Sequence, residues 1–134
     1  VAAVSSWAIR LALVHLFAAF LTGGWLLAAR GLPSLPHPDW LLAVHLELAL
    51  LGWTLQLAMG VGYYILPKFK DGPPRGPVAP AVAAVVAFNL GVAAIVLAAV
   101  TGSASLQLAG RIGELAAAGL FATNAWPRVK AFGT

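Results

Sequence analysis

The sequence predicts an all-α integral membrane protein, a bundle of four transmembrane helices forming one domain over residues 1–134. Three observations predict it. Hydrophobic residues make up 61% of the chain and charged residues 9%, against roughly 45–50% and about 25% in soluble domains. Charge-free stretches cover residues 11–29, 48–67 and 76–110, and a membrane helix needs ~20 mostly apolar residues. The segments between them are rich in proline and glycine. Four acids and eight bases cannot coat a water-soluble surface of this size, and the same composition excludes disorder. With no cysteine, the chain has no disulfide frame, thiolate metal site, Fe–S cluster or covalently attached haem of the CxxCH kind. The net charge of +4 lies scattered at the ends of apolar runs, a pattern of membrane topology rather than of nucleic-acid binding.

The elements follow in order. Helix one is expected at about 5–29; it is too long for the apolar core of a signal peptide, and no convincing cleavage site follows it. Gly31 to Pro38 cannot continue a helix, because three prolines lack donors and each restricts the residue before it. Asp39 then fits an N-cap for helix two at about 39–66, with Trp40 at the membrane interface. The connector Pro67 to Pro77 is basic and rich in Pro and Gly. The run 76–110 is too long for one span. Thr101-Gly102-Ser103 divides it into helices at about 78–100 and 103–126, with Ser103 or Ser105 as cap and Pro127 beyond the end. Helices are expected because every backbone group in a bilayer needs an internal partner. Four spans place both termini and the 67–77 loop on one side. That side collects Arg10, Lys68, Lys70, Arg75, Arg128 and Lys130. The positive-inside rule makes it the cytoplasmic side of a prokaryotic inner membrane.

Ionisable residues inside spans are functional candidates by default. They are His15 on helix one, His45 and Glu47 on helix two, and Arg111 and Glu114 on helix four; Gln56, Asn89 and Gln107 are weaker members. Helical rise puts His45 ~8 Å in from the outer end, Glu47 ~11 Å, Arg111 ~12 Å and Glu114 ~16 Å, while His15 lies ~20 Å deep. The first four can therefore meet, whereas the ~12 Å offset between the histidines opposes one iron held by both within a subunit. At ~100° per residue, His45, Gly52, Gln56 and Tyr63 share a face and Glu47 points away from it. Glycine beside a histidine leaves room for a flat ligand. Each candidate also has a structural reading. Either histidine can be an interhelical hydrogen-bonder. Glu47 can neutralise Arg111, Glu114 can pair locally with it, and Arg111 can alternatively hold a haem propionate. Trp7, Trp40 and Trp126 fall near helix ends, while Trp25 and Trp53 lie inside spans, against helices or a macrocycle. Small residues at Ala83, Ala87, Gly91, Ala94 and Ala98, and at Gly110, Gly113 and Ala117, permit close helix approach.

The segment His45-Leu46-Glu47 through Gly52-Trp53, continuing to Gly60, Tyr63-Tyr64 and Pro67, resembles a helix of the heme-copper oxidase superfamily. Its pattern is H-x-H-x-x-x-x-G-W…G-x-x-Y-Y-x-x-P, found in the catalytic subunit of C-family oxidases. Similar helices occur in nitric-oxide reductases and nitric-oxide-response membrane proteins. In that family the first histidine ligates the high-spin haem and the second the low-spin haem. Here His45 holds the first position and Glu47 the second, so the resemblance implies at most one of these ligations. The copper-ligand histidines have no counterpart in a chain with three histidines. The family's twelve-helix subunit consists of three four-helix arcs, so the resemblance implies that one chain matches one arc and that a homotrimer rebuilds the outline.

The expected function is therefore noncovalent binding of haem b, for electron transfer with a respiratory partner or for binding NO or O2. His45 is the first candidate axial ligand and His15 the second, with Arg111, Gly52, Gln56, Trp53 and Tyr63 as candidate cofactor contacts. The alternatives are a haem-free accessory or assembly subunit of a respiratory oxidase or reductase, and a small proton- or ion-conducting membrane protein.

Overall fold

In the computed structural model, which describes residues 2–130, four long helices follow one another. They are α1 (Ala3–Gly31), α2 (Trp40–Ile65), α3 (Val78–Thr101) and α4 (Ala104–Ala125), and a 3-10 turn at Trp126–Arg128 closes the described chain. No strand occurs among the described residues. The expected boundaries hold to within two residues. Three helices, α1 to α3, are long and apolar enough to cross a membrane. α4 has 22 residues and carries Arg111 and Glu114 within them. Large apolar side chains cover the outside, Phe17, Phe20 and Leu27 each being about seven-tenths exposed, which suits a lipid surround.

The connectors end helices as their chemistry requires. Trp25 donates its indole N–H to the Pro36 carbonyl at 2.9 Å, tying the first connector back onto α1. Asp39 departs from the expected N-cap: its backbone is already helical (φ −59°, ψ −30°) and its side chain makes no capping bond. The Pro38 carbonyl takes that part by accepting the Leu41 N–H at 3.0 Å. Between α3 and α4, Gly102 adopts φ +70° and sends its N–H to the Ala98 carbonyl, a left-handed helix end that favours glycine. Ser103 then caps α4, its hydroxyl accepting the Leu106 N–H at 3.3 Å.

α2 contains one feature that α-helical periodicity does not foretell. Residues Glu47–Leu55 form nine residues of π-helix between α-helical halves. The Gln56 N–H, which in an α-helix would meet the Gly52 carbonyl, bonds Leu51 and Trp53 instead. The Thr54 hydroxyl donates to the Ala49 carbonyl five residues back, at 3.0 Å.

Helices pack as two antiparallel hairpins, α1 with α2 and α3 with α4, joined where the first half and π segment of α2 meet α3. A core of Ala19, Val44, Leu48, Phe88, Val92 and Ala117 fills that junction. The α3–α4 contact is close because Gly91 and Gly110 face each other. A Cβ on Gly91 would come within 2.9 Å of the Gly110 carbonyl and 2.8 Å of Glu114 Cγ. The buried stripe on α3 runs through Ala84, Gly91 and Ala98, so the expected Ala83 lies outside it and is exposed. A hollow lined by Ala2, Tyr63, Arg75 and Gly76, with bonds from Arg128 to the end of α2, gathers three segments at one end. These are the start of α1, the 66–77 connector and the last turn. Arg10 over Trp7, Arg75 over Tyr64 and Arg128 over Tyr63 stack at 5.5, 5.3 and 5.2 Å there, cations on aromatic faces in the manner of an interfacial belt.

Candidate functional site

The α1–α2 seam is bridged by polar side chains that bond backbone carbonyls of the facing helix. Ser5 Oγ donates to the Gly60 carbonyl at 2.7 Å. Gln56 Nε2 donates to the Ala8 carbonyl at 3.1 Å. His15 Nδ1 lies 2.9 Å from the Gly52 carbonyl. His45 Nδ1 lies 2.9 Å from the Ala19 carbonyl and 3.3 Å from Thr22 Oγ1. As one strand of this ladder rises the other falls, as antiparallel helices demand. A carbonyl only accepts, so each imidazole donates through Nδ1–H, and Nε2 is the ring nitrogen left over for another partner.

Both histidines sit over glycine. A Cβ on Gly23 would lie 2.6 Å from His45 Cε1, and one on Gly52 would lie 2.7 Å from His15 Cγ. The room that Gly52 leaves is therefore filled by the His15 ring rather than kept for a flat ligand beside His45. The His15 partner on α2 is also the carbonyl that the π segment diverts from the Gln56 N–H. His15 and His45 thus occupy separate rungs. His45 and Gly52 are roughly 10 Å apart on helical rise, so the rings do not converge on one point.

The other expected contacts disperse. Gln56 is 1% exposed and spent on the Ala8 carbonyl, its Oε1 left without a partner. Trp53 is half-buried on the π segment. Tyr63 is buried at the basic end beneath Arg128, roughly 27 Å of helical rise from His45. His37 is exposed in the first connector. Among the described residues no group of three or more His, Asp or Glu side chains has the arrangement of a metal site.

Glu47 points away from His45, toward α4, as its angular position requires. There it meets Arg111 Nη1 at 2.9 Å, and the same nitrogen donates to Glu114 Oε2 at 2.7 Å. The two carboxyl groups thus meet at a single guanidinium nitrogen. Glu47 is 3% and Glu114 8% exposed, while Arg111 is 47% exposed. Oε1 of each glutamate is buried with no partner. Arg111 therefore serves these carboxylates, the neutralising role weighed against propionate binding. A hollow of about 320 Å³ lined by Trp40, Ala43, Ile95, Ala98, Gln107 and Arg111 borders the cluster at Arg111.

Arg128 is a structural residue that the sequence reading placed only among the topology charges. It is fully buried. Nη2 donates to the Tyr63 and Leu66 carbonyls at 2.8 and 2.9 Å and Nε to the Pro67 carbonyl at 3.0 Å, while Nη1 reaches Asn124 Oδ1 at 3.3 Å. Burial lowers its pKa; Tyr63 opposes that shift and Arg75 adds to it. Asn124 sits one helical turn before it and also donates to the Arg75 carbonyl at 2.9 Å. An Asn-x-x-x-Arg spacing at the end of α4 is the one sequence trace of this cap.

No family model, curated protein or solved structure matches the chain.

Proposed function

We propose that the chain is a four-span membrane protein that binds a b-type haem noncovalently through His45, and that it carries electrons to or from a respiratory partner or binds NO or O2. One observation carries the reading: His45 Nδ1 is committed to the Ala19 carbonyl. Such a hydrogen bond fixes the tautomer and ring orientation and leaves Nε2 as the ligating atom. The resemblance of the His45–Pro67 segment to the heme-copper oxidase helix supports the same residue. When bound, the haem supplies a one-electron couple or an open coordination position for a diatomic gas. The chain's own part is to hold the imidazole aligned over Gly23, with Nδ1 on the Ala19 carbonyl. His15, on its own rung, is the second candidate ligand for an iron shared across a subunit boundary. A homotrimer supplies the second wall, because His45 lies half-buried at the α1–α2 seam with lipid-facing residues about it. The termini face the cytoplasm of a prokaryotic inner membrane in this reading.

Oxidised and reduced visible spectra test it, taken on protein purified in mild detergent from haem-replete cells. Wild type is expected to show a Soret band and a reduced α-band, and His45→Ala to lose them. His15→Ala is expected to retain haem with a shifted spectrum if it is the second ligand. Folded wild-type protein without colour overturns haem binding and leaves the accessory-subunit role. Full haem content with an unchanged spectrum in His45→Ala overturns the ligand.

A further inference from the structure

We propose that Glu47 and Glu114 together hold one exchangeable proton, reached through the hollow lined by Trp40, Gln107 and Arg111. The inference stands on the α2–α4 contact and is independent of the haem reading, since His45 faces α1 on the other side of α2.

Charge arithmetic is the first argument. Two carboxylates and one guanidinium leave a net charge of −1 in an apolar bundle, where uncompensated charge costs several kcal/mol. α3, the third wall, offers no compensation. It contains no charged residue between Val78 and Thr101 and meets Glu114 through Gly91. Arg10 and Arg30 of α1 lie toward its two ends, and the nearest polar neighbour on α4, Gln107, is neutral. One proton brings the cluster to zero.

Geometry is the second argument. Both Oε2 atoms converge on a single Nη1, at 2.9 and 2.7 Å, which sets the two carboxyl groups side by side. Each keeps a buried Oε1 that no group of the protein satisfies. Buried acceptors of this kind call for a hydrogen-bond partner. A proton turns one carboxylate into a donor and lets it bond the other, so a single O–H bond forms on a glutamate oxygen. Uptake takes the proton from hydronium and leaves water; release reverses it.

Access is the third argument. The hollow ends on Arg111 and opens between the start of α2 and the Thr101–Ser103 turn, with Gly102 and Ala104 on its rim. Its volume of about 320 Å³ is many times the roughly 30 Å³ that one water occupies. Half of Arg111 faces outward, so its guanidinium stands between the carboxyl pair and water.

Infrared spectroscopy of the full chain in lipid nanodiscs reads the proton directly. The background is small, because the only other acidic side chains are Asp39 and Asp71, both exposed in the connectors. At pH 7 wild type is expected to show one protonated-carboxyl carbonyl band that shifts promptly in D2O. Glu47→Gln and Glu114→Gln should each lose it, since the remaining carboxylate then pairs with Arg111 alone. Arg111→Gln should roughly double it by removing the sole compensating cation. Ala43→Leu, which narrows the hollow, should slow the D2O shift and leave the band in place. Three results overturn the proposal: no band in folded wild type at pH 7, a band unchanged in both glutamine variants, or a band that does not shift after hours in D2O. Loss of the wild-type band on adding sodium or potassium at fixed pH also overturns it, by making the site one for a metal cation.

Discussion

Arg128 acts as a C-terminal cap for a helix that ends more than sixty residues before it. The carbonyls at the end of α2 lack intrahelical donors, and here the guanidinium supplies three bonds to Tyr63, Leu66 and Pro67. Its planar fork suits several acceptors at once, which a lysine ammonium cannot reproduce. Arg128→Ala is expected to destabilise the fold by about 2–4 kcal/mol, since bonds from a charged group are worth ~1.5–3 kcal/mol and the carbonyls lose their partner. Arg128→Lys should recover less than half of that loss. Reversible unfolding in mixed detergent micelles, followed by helical circular dichroism, measures both; an unchanged midpoint for Arg128→Ala would remove the capping role. Residues of this kind were poorly legible in the sequence. Arg128 and Gln56 bond backbone carbonyls far along the chain, and a carbonyl leaves no mark in the residue letters. Glu47, Arg111 and Glu114 were legible, because charge is scarce in a bilayer and helical rise set them at similar depth.

At the scale of elements, the helices were readable from charge-free runs and from prolines and glycines at the breaks. Even the division at Thr101-Gly102-Ser103 follows from the left-handed freedom of Gly102. The π segment of α2 was not readable, since apolar residues on every side give no periodicity to distort. Its cause lies partly in the facing helix. His15 takes the Gly52 carbonyl that the Gln56 N–H passes over, and Gly52 alone leaves room for the ring. This makes the pair non-additive. Gly52→Ala is expected to cost about 1–3 kcal/mol through overpacking against the His15 ring. In a His15→Ala background the same change should cost less than ~0.5 kcal/mol, because alanine favours the helix over glycine. His15→Ala alone should cost ~0.6 kcal/mol for its hydrogen bond plus whatever the emptied volume adds. A double-mutant cycle in the same unfolding assay gives the coupling; additive effects within ~0.3 kcal/mol would show that the ring and the glycine do not share this space.

The whole molecule is asymmetric from end to end, and the proposed orientation rests on that asymmetry. One end gathers the start of α1, the 66–77 connector and the Trp126–Arg128 turn, with three arginines stacked on Trp7, Tyr63 and Tyr64. The other end carries the Pro-rich first connector and the Thr101–Ser103 turn, with Arg30 as its charged base. In the proposed orientation the basic end stays on the cytoplasmic side, because lysine and arginine resist transfer across a bilayer, and the hollow then opens outward. The chain contains no cysteine, so single replacements report sidedness without background. Ser34→Cys, exposed in the first connector, and Lys70→Cys, exposed in the second, are the informative pair. In intact cells with a permeable outer envelope, a membrane-impermeant thiol reagent is expected to label the cysteine at 34 and spare the one at 70. After the inner membrane is opened, both should react. If the cysteine at 70 reacts first, the orientation is inverted and the proton site drains to the cytoplasm. If both react before permeabilisation, the two connectors lie on the same side of the membrane, and α2 is not a span.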